Sequence, residues 1–406
     1  MRYIFCWLFL ICGYLGFSQD LDDGLLAHFT FDACDNLSME ENGNTSAVIV
    51  GDPNCVCGVS GNAIELDGAE DYLLFLGGIS RAFNTIDFSI SLYIKPTNGV
   101  GVQSVLSRDE SCGGDRSFSI SYASGSNFVR ANLRQDSSRF TNLSTQLNFG
   151  NCWYHIVFVR RGNRSQLYID GELVQERLTD ARATIDNNAE LNIANGECVG
   201  ITENRFAGIV DELRVYERAL RLEEIQALYL EPDRIQNDDA ILFLGSSIDI
   251  EVGETCADDF LWSPTDGVAN PTEAETSISP SSAGVFTYQL DLSDQFCIAT
   301  DSIRITVIDP EELPCVAQLP KAFTPNNDGR NDTYGIVNSI VLEDKLIEFE
   351  IFDRWGGRIW STTNPLEKWD GTFNGTELNP GVLLYRVRYR CGEEEIIDTG
   401  SLTLLR

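Results

Sequence analysis

Apolar and polar residues alternate along most of the first half of the chain, as they do in strands with one buried face. The segment FSISLYIKP, residues 88–96, is the clearest case. Its apolar positions are Phe88, Ile90, Leu92 and Ile94. Two more strands are predicted within residues 153–174, where Asp170 and Gly171 form a two-residue hairpin turn. Because helical periodicity is scarce, the pattern predicts an all-β fold that begins with a jelly-roll sandwich.

The first residues follow a different pattern. After Arg2, residues 3–17 are almost all apolar, and the polar residues Ser18, Gln19 and Asp20 come next. This layout predicts a signal peptide over residues 1–18, since the run is shorter than the ~20 residues of a spanning helix. No later stretch is long and apolar enough to span a bilayer, so we expect no transmembrane segment in the mature chain.

Two linker-like stretches, YLEPDRIQNDD and DPEELP, interrupt the strand pattern. They divide the mature chain into domains at residues 19–232, 233–312 and 313–406. Each domain has the alternation of a β-sandwich. The predicted architecture is therefore a jelly-roll sandwich followed by two smaller β-sandwich domains.

Charge and cysteine content narrow the class of protein. With 29 Lys and Arg against 62 Asp and Glu, the net charge is −33. Such a chain is a poor partner for nucleic acid or acidic membranes. Of the 12 cysteines, Cys6 and Cys12 fall in the signal peptide, and ten remain. Since the signal peptide predicts export and the chain has no CxxC pair, we expect disulfides rather than a zinc site.

The order of elements in the first domain resembles the laminin-G-like group of concanavalin A-like jelly rolls. The resemblance is carried by GLLAHFTFD, GNAIELDGAEDYLLF, FSISLYIKP, CWYHIVFVRRGNRSQLYIDGELV and FAGIVDELRVYERALRLEEIQALY. It implies a glycan or protein ligand, and a possible calcium site at Asp32 and Asp211. Ala33 and Cys34 depart from the family pattern, and we expect a disulfide to hold that loop.

Cys256, Trp262 and Cys297 in the second domain resemble the Cys, Trp, Cys arrangement of immunoglobulin-like sandwiches, and the domain looks like an immunoglobulin-like or PKD-like repeat. As the only cysteines of that domain, Cys256 and Cys297 are predicted to pair. The domain is strongly acidic, which favours a spacer.

The third domain contains LPKAFTPNNDGRND, RWG, KWDGT and a final strand that ends at Arg406. These motifs resemble the gliding-motility-associated C-terminal domain, the type B sorting domain of the type IX secretion system. The resemblance implies recognition by the type IX secretion machinery and a location outside the cell or on its outer surface. Cys315 and Cys391, the only cysteines of this domain, are predicted to pair.

The six other cysteines of the mature chain are Cys34, Cys55, Cys57, Cys112, Cys152 and Cys198. Their pairing stays open, except that Cys55 and Cys57 are too close along a strand to pair with each other. We favour Cys34 with one of these two.

One carboxylate pattern suggests an enzyme. Glu65, Asp67 and Glu70 match the E-x-D-x-x-E pattern of a family of retaining glycoside hydrolases on the same jelly roll. However, Gly68 favours a turn where a catalytic strand would continue, and other catalytic motifs are missing. We therefore predict no catalytic residues and a secreted or surface-exposed binding or adhesion protein. A secreted glycoside hydrolase using Glu65 and Glu70 is the alternative.

Overall fold

The computed structural model describes residues 21–41, 45–83, 87–326 and 329–406. The predicted signal peptide lies outside these residues. None of the helices they form is both long and apolar enough to cross a membrane.

The chain divides into two compact units, each built from more than one segment. The first unit runs up to Asp238 and adds Asp249–Ser277 and Tyr288–Ile303; the second comprises Asp239–Ile248, Ile278–Thr287 and Arg304–Arg406. The segment predicted as a separate middle domain is thus shared between them. The domain boundaries at residues 232 and 312 stay predictions.

Two eight-stranded sheets face each other in the first unit. The strands are β1 Leu25–Phe29, β2 Thr45–Val50, β3 Asn54–Cys57, β4 Asn62–Asp67, β5 Tyr72–Gly77, β6 Phe88–Pro96, β7 Val102–Arg108, β8 Ser117–Ala123, β9 Phe128–Arg134, β10 Phe140–Gln146, β11 Tyr154–Arg161, β12 Arg164–Ile169, β13 Glu172–Leu178, β14 Leu191–Ile193, β15 Asn204–Arg205 and β16 Ala207–Tyr216. The first sheet has the order β13-β12-β11-β6-β16-β4-β3, with β1 beside β16. The second has the order β10-β9-β8-β7-β14-β5-β2, with β15 beside β7. The all-β fold class is confirmed.

The inner faces of both sheets form one hydrophobic core. Phe88, Ile90, Leu92 and Ile94 of β6 all belong to it, as their alternation predicted. A 3₁₀ helix, Gly78–Phe83, contributes Ala82 and Phe83 to the same core. The predicted hairpin turn is also present, because Asp170 and Gly171 both have positive φ, at 50° and 79°.

The outer faces of the two sheets differ. In the first sheet nearly every residue of β6 is buried, because helix α1, Leu222–Ala227, and a second small cluster around Tyr93 and Trp153 cover it. In the second sheet β9 alternates between buried and exposed residues. One sheet is therefore enclosed on both faces, while the other keeps a face open to solvent.

The segment after α1 forms six strands. Four of them make a sheet with the order β17-β22-β21-β19, and the other two, β18 and β20, pair with each other. The strands are β17 Ala240–Phe243, β18 Ile248–Ile250, β19 Asp259–Ser263, β20 Thr276–Ile278, β21 Gly284–Ser293 and β22 Ile298–Ile308. Trp262 of β19 is fully buried, and its indole N–H donates to the Glu273 carbonyl at 2.9 Å.

The disulfides overturn one prediction. Cys256 does not pair with Cys297; instead the bridges are Cys57–Cys256 and Cys152–Cys297. Both join the jelly roll to the following segment inside the first unit. The prediction failed because it assumed that the second domain closes its own disulfide, whereas each of its cysteines lies against a strand or loop of the jelly roll.

The other three disulfides are Cys34–Cys55, Cys112–Cys198 and Cys315–Cys391. The first agrees with the preference for Cys34 with Cys55 or Cys57, and the third was predicted. All ten cysteines of the predicted mature chain are therefore paired.

A buried ion pair adds to the two cross-bridges. The ammonium group of Lys95 on β6 pairs with the Asp294 carboxylate, and the Lys95 side chain is only 3% exposed. The Lys95 nitrogen also lies 5.7 Å from the centre of the Trp153 ring. Backbone groups also connect the jelly roll to the following segment, since the Thr300 N–H donates to the Gly150 carbonyl at 2.9 Å.

The second unit contains a five-stranded sheet with the order β23-β29-β28-β24-β25. Its strands are β23 Ala322–Phe323, β24 Leu346–Phe352, β25 Arg358–Thr362, β28 Gly381–Cys391 and β29 Glu394–Leu404, and the short pair β26 Thr372–Phe373 and β27 Thr376–Glu377 lies apart from it. A 3₁₀ helix, Ser339–Leu342, precedes β24. Phe323, Tyr334, Phe349 and Trp369 lie in its core. Of the aromatic residues in the sorting-domain motifs, Phe323 and Trp369 are therefore structural, whereas Trp355 of RWG is exposed.

Candidate functional site

Short polar side chains cover the outer face of the second sheet. In β8, Phe118, Ile120 and Tyr122 point into the core, so Ser117 and Ser119 point outward. The neighbouring strands repeat this arrangement and place Ser104, Ser107, Asn132, Arg134 and Asn142 on the same face. In β8 and β9 this face follows from the alternation of the sequence, whereas in β7 a register shift between Ser104 and Leu106 brings Ser107 to the same face.

A cavity of about 300 Å³ lies on this face and is the candidate functional site. Serine, asparagine and arginine side chains form its floor, and Phe140 of β10 lies at its edge. The Phe140 ring is 40% exposed. A small polar cavity with one accessible aromatic ring can hydrogen-bond a ligand and also contact an apolar surface on it.

Two half-buried carboxylates, Asp109 and Glu203, line the cavity. Burial raises the pKa of Asp109, and the charge of Glu197 raises it further. Burial likewise raises the pKa of Glu203, and the charge of Asp109 adds to this effect. Removing a carboxylate from water is unfavourable unless hydrogen-bond donors replace the water. The pair therefore favours a ligand that brings donors into the cavity.

Neighbouring groups fix the two carboxylates in place. The Glu197 N–H donates to the Asp109 carboxylate at 3.4 Å. Ser107 lies beside Asp109 and Ser104 beside Glu203, and the two serine hydroxyls donate to the Asn195 carbonyl, at 2.6 and 3.1 Å. The Cys112–Cys198 disulfide closes one side of the cavity. The site is thus held rigidly before any ligand binds.

Gly196 passes directly over Ser107. A β-carbon at Gly196 would lie 2.4 Å from the Ser107 hydroxyl oxygen, and its φ of 152° disfavours other residues as well. Only glycine lets the backbone approach this closely.

The sequence did not single out Asp109, Glu203 or Asn132. The alternation in SFSISYA and FVRANLR, residues 117–123 and 128–134, does predict a polar sheet face. The meeting of Asp109 with Glu203, however, depends on β15 running parallel beside β7. Asp109 and Glu203 are about a hundred positions apart in the sequence, so no local pattern of residues predicts that they meet.

Asp32 and Asp211, the predicted calcium ligands, lie at one turn between β3 and β4. The Asp32 carboxylate accepts from the Asn62 N–H at 2.8 Å. The Asp211 carboxylate is fully buried and accepts from the Val59 N–H at 2.8 Å, the Ser60 N–H at 3.4 Å and its neighbour's N–H at 2.8 Å. Both carboxylates thus hold the same turn.

The surroundings of Asp211 affect its protonation. Burial and the negative charge of Glu212 raise the pKa of Asp211 to about 8, even though three N–H groups donate to it. Across the described part of the chain, no three His, Cys, Asp or Glu residues are grouped as a metal site requires. Calcium at Asp32 and Asp211 stays a prediction.

Glu65, Asp67 and Glu70 do not share one environment. Asp67 accepts from three successive N–H groups, those of residues 69 to 71, at 2.8 to 3.2 Å, and Gly68 has a φ of 73°. The predicted turn is therefore present. Glu65 accepts from the Asn54 amide at 3.2 Å, and Glu70 is exposed. Asp67 is occupied by the turn, which leaves it poorly suited to support catalysis.

Both histidines make structural contacts. His28 lies between two carboxylates, 2.8 Å from Glu212 and 3.0 Å from Glu41. His155 is fully buried, stacks on Tyr93 and lies 2.7 Å from the Ser91 hydroxyl oxygen. Burial lowers the pKa of His155 to about 3, so it is neutral at physiological pH.

The fold and the site define the class of protein: it has a lectin-like jelly roll with a polar cavity, followed by a small β domain. Residues 67–226 match the family model of the concanavalin A-like lectin/glucanases superfamily, named Laminin_G_3. Residues 317–404 match the model of the CHU_C type IX secretion signal domain. These two resemblances are confirmed, and the type IX signal together with the disulfides indicates export. The immunoglobulin-like or PKD-like resemblance stays a prediction.

Solved structures give only distant similarities. Domain 4 of AbnA, a GH43 extracellular arabinanase from Geobacillus stearothermophilus, in complex with arabinotriose, is 22% identical, with a TM-score of 0.40; the match covers 50% of this chain and 98% of that one. The binding domain of botulinum neurotoxin DC in complex with SialylT is 12% identical, with a TM-score of 0.44 and 94% of each chain covered. At TM-scores below 0.5 these likenesses define no function for this chain. No curated protein matches it.

Proposed function

We propose that this protein is an exported glycan-binding protein whose jelly roll binds its ligand in the cavity on the second sheet. The cavity containing Asp109 and Glu203 is the observation that supports this proposal most directly. Sugar hydroxyls both donate and accept hydrogen bonds, so they satisfy the carboxylates and also the amides of Asn132 and Asn142. The Arg177 guanidinium lies 5.4 Å from the centre of the Phe140 ring, and the exposed part of that ring is proposed to contact the apolar face of a sugar.

The proposed role is binding rather than hydrolysis. The carboxylates of the alternative, Glu65 and Glu70, lie outside this cavity, and Asp67 between them caps a turn. Residues 233–312 are proposed to act as a spacer, and residues 313–406 as the segment that the type IX secretion machinery recognises. The ligand is proposed to be a glycan at the cell surface or in the surrounding medium.

A glycan array tests the proposal with the mature chain, residues 19–406. We expect binding to a defined set of glycans, and Asn132→Ala and Glu203→Gln should each weaken it about tenfold, since each removes or changes a half-buried hydrogen-bonding group of the cavity. Ser46→Ala, on strand β2 at the far edge of the same sheet, is the matched control and should bind normally. Unchanged binding by both cavity variants would overturn the site.

A further inference from the structure

A second cavity lies elsewhere in the first unit, and its wall includes a residue from outside the jelly roll. Its volume is about 560 Å³. The jelly roll supplies the turn after β4, the loop after β6 and the segment that leads into β15. Phe296, which follows β21, completes the wall. The cavity is therefore incomplete without the segment that the two cross-bridges attach.

Phe296 is held firmly in its position. The turn that carries it is closed by the Asp294 N–H, which donates to the Cys297 carbonyl at 3.1 Å. The Asp294 carboxylate accepts from the N–H groups of Phe296 and Cys297 at 2.8 and 3.0 Å. The ion pair with Lys95 and the disulfide to Cys152 then tie both ends of the turn to the jelly roll. A half-buried ring fixed in this way needs little ordering before it contacts a ligand.

The polar groups around the cavity include both donors and acceptors. Glu65 supplies carboxylate oxygens, and Asp67 adds a second negative charge although one of its oxygens is occupied by the turn after β4. Arg205 supplies a guanidinium group that is braced over the Tyr72 ring at 4.4 Å and donates through Nη1 to the Asn195 side chain at 2.7 Å. The Asn204 amide N–H₂ donates to the Val100 carbonyl at 2.8 Å, which fixes its orientation.

This combination points to one ligand class. An aromatic ring beside fixed donors and acceptors matches a sugar ring, which has an apolar face and hydroxyl groups at its rim. Two carboxylates in one cavity disfavour an acidic sugar by charge repulsion. The net charge of −33 also disfavours an acidic sugar.

We propose that this second cavity binds a neutral sugar unit of the glycan, with Phe296 as its stacking platform. The inference rests on the proposed function for the class of ligand and adds a second subsite to it. A chain with two subsites binds a long glycan more tightly than a short one, because the second contact forms within the same complex.

Affinity electrophoresis of the mature chain tests this inference. The gels contain arabinan, xylan or mixed-linkage β-glucan as neutral probes and polygalacturonate as the acidic probe. We expect retardation in at least one neutral gel, and Phe296→Ala should weaken it about tenfold. Phe296→Trp should restore it, since the indole also stacks. Phe149→Ala, which removes a ring that is 69% exposed and outside the cavity, is the matched control and should migrate like the unaltered chain.

The outcomes separate this inference from the proposed function. If Asn132→Ala weakens retardation and Phe296→Ala does not, the second subsite is wrong and the first cavity stands. If the unaltered chain is retarded only by polygalacturonate, or by none of the gels, the neutral subsite is overturned, and the glycan array decides the proposed function separately. A thermal melt of Phe296→Ala that matches the unaltered chain excludes unfolding as the cause of weaker binding.

Discussion

The buried carboxylate of Asp211 connects two distant parts of the chain at the level of single atoms. Asp211 lies on β16, but its carboxylate oxygens accept hydrogen bonds from the turn that follows β3, about 150 residues earlier in the chain. Gly58 permits this contact, because a β-carbon there would lie 2.4 Å from the Asp211 carboxylate. Burial without such donors would cost several kcal/mol. Asp211 is therefore required by the turn whether or not a cation binds nearby.

The calcium proposal is tested by melting the mature chain with and without EDTA. An ion that binds only the folded chain stabilises it by roughly 2.7 kcal/mol at a hundredfold excess over its Kd, so EDTA should lower the Tm by several degrees and calcium should restore it. Asp32→Asn should abolish this response, while Asp35→Asn, which changes an exposed carboxylate, should keep it. Asp211→Asn should lower the Tm in both conditions, since it replaces one of the two acceptor oxygens with an N–H₂ group that faces other N–H donors. A melting curve that EDTA leaves unchanged contradicts calcium binding.

At the scale of elements, β6 joins the sandwich core to the attached segment. Its apolar alternation supplies the core on one side, while Lys95 on the other side meets Asp294. A charge this deeply buried is tolerated only with a partner. The ion pair therefore requires that the segment carrying Asp294 stay packed on the first sheet.

Replacing Asp294 and replacing Lys95 should lower the free energy of unfolding by different amounts. Asp294→Ala leaves the Lys95 ammonium buried without its partner and removes the acceptor of two N–H groups, so we expect a loss of about 3–5 kcal/mol in the free energy of unfolding. Lys95→Met should cost less, because Asp294 keeps its two N–H donors. Glu176→Ala, which breaks the exposed pair with Arg164, is the control and should cost under about 1 kcal/mol. Equal losses for Asp294→Ala and the control in urea denaturation would contradict this role.

Local patterns predicted the strands because a strand needs only its own alternation and its turn. Phe88 to Ile94 and the turn at Asp170 are of this kind. The pairing of Cys256 could not be predicted in the same way, because it depends on which surface the attached segment covers. The same distinction between local and long-range information applies to the candidate site. The polar face with Asn132 follows from alternation, whereas the approach of Glu203 to Asp109 follows from strand order across the sheet.

At the scale of the whole molecule, the proposed binding function and the export signal lie in different parts of the chain. The jelly-roll match ends at residue 226 and the secretion-signal match begins at residue 317. The strong negative charge of the chain disfavours non-specific contact with acidic surfaces.

Truncation tests the export assignment. A chain that ends after Glu312 should fold its earlier part, remain in the periplasm and be absent from the medium and the cell surface. A reporter joined to a signal peptide and residues 313–406 should leave the cell. Cell fractionation with immunoblotting distinguishes these locations. Normal export of the truncated chain would refute the assignment.

The disulfide arrangement also determines what extracellular proteases can release. Every peptide bond from Cys57 to Cys297 lies within at least one disulfide loop, because the Cys57–Cys256 and Cys152–Cys297 loops overlap. One cleavage there leaves both pieces covalently joined. No bridge spans residues 298–314, and residues 309–314 lie outside the strands. A single cut in that short stretch removes the covalent connection between the sorting segment and the part proposed to bind glycans, and it leaves all five bridges intact.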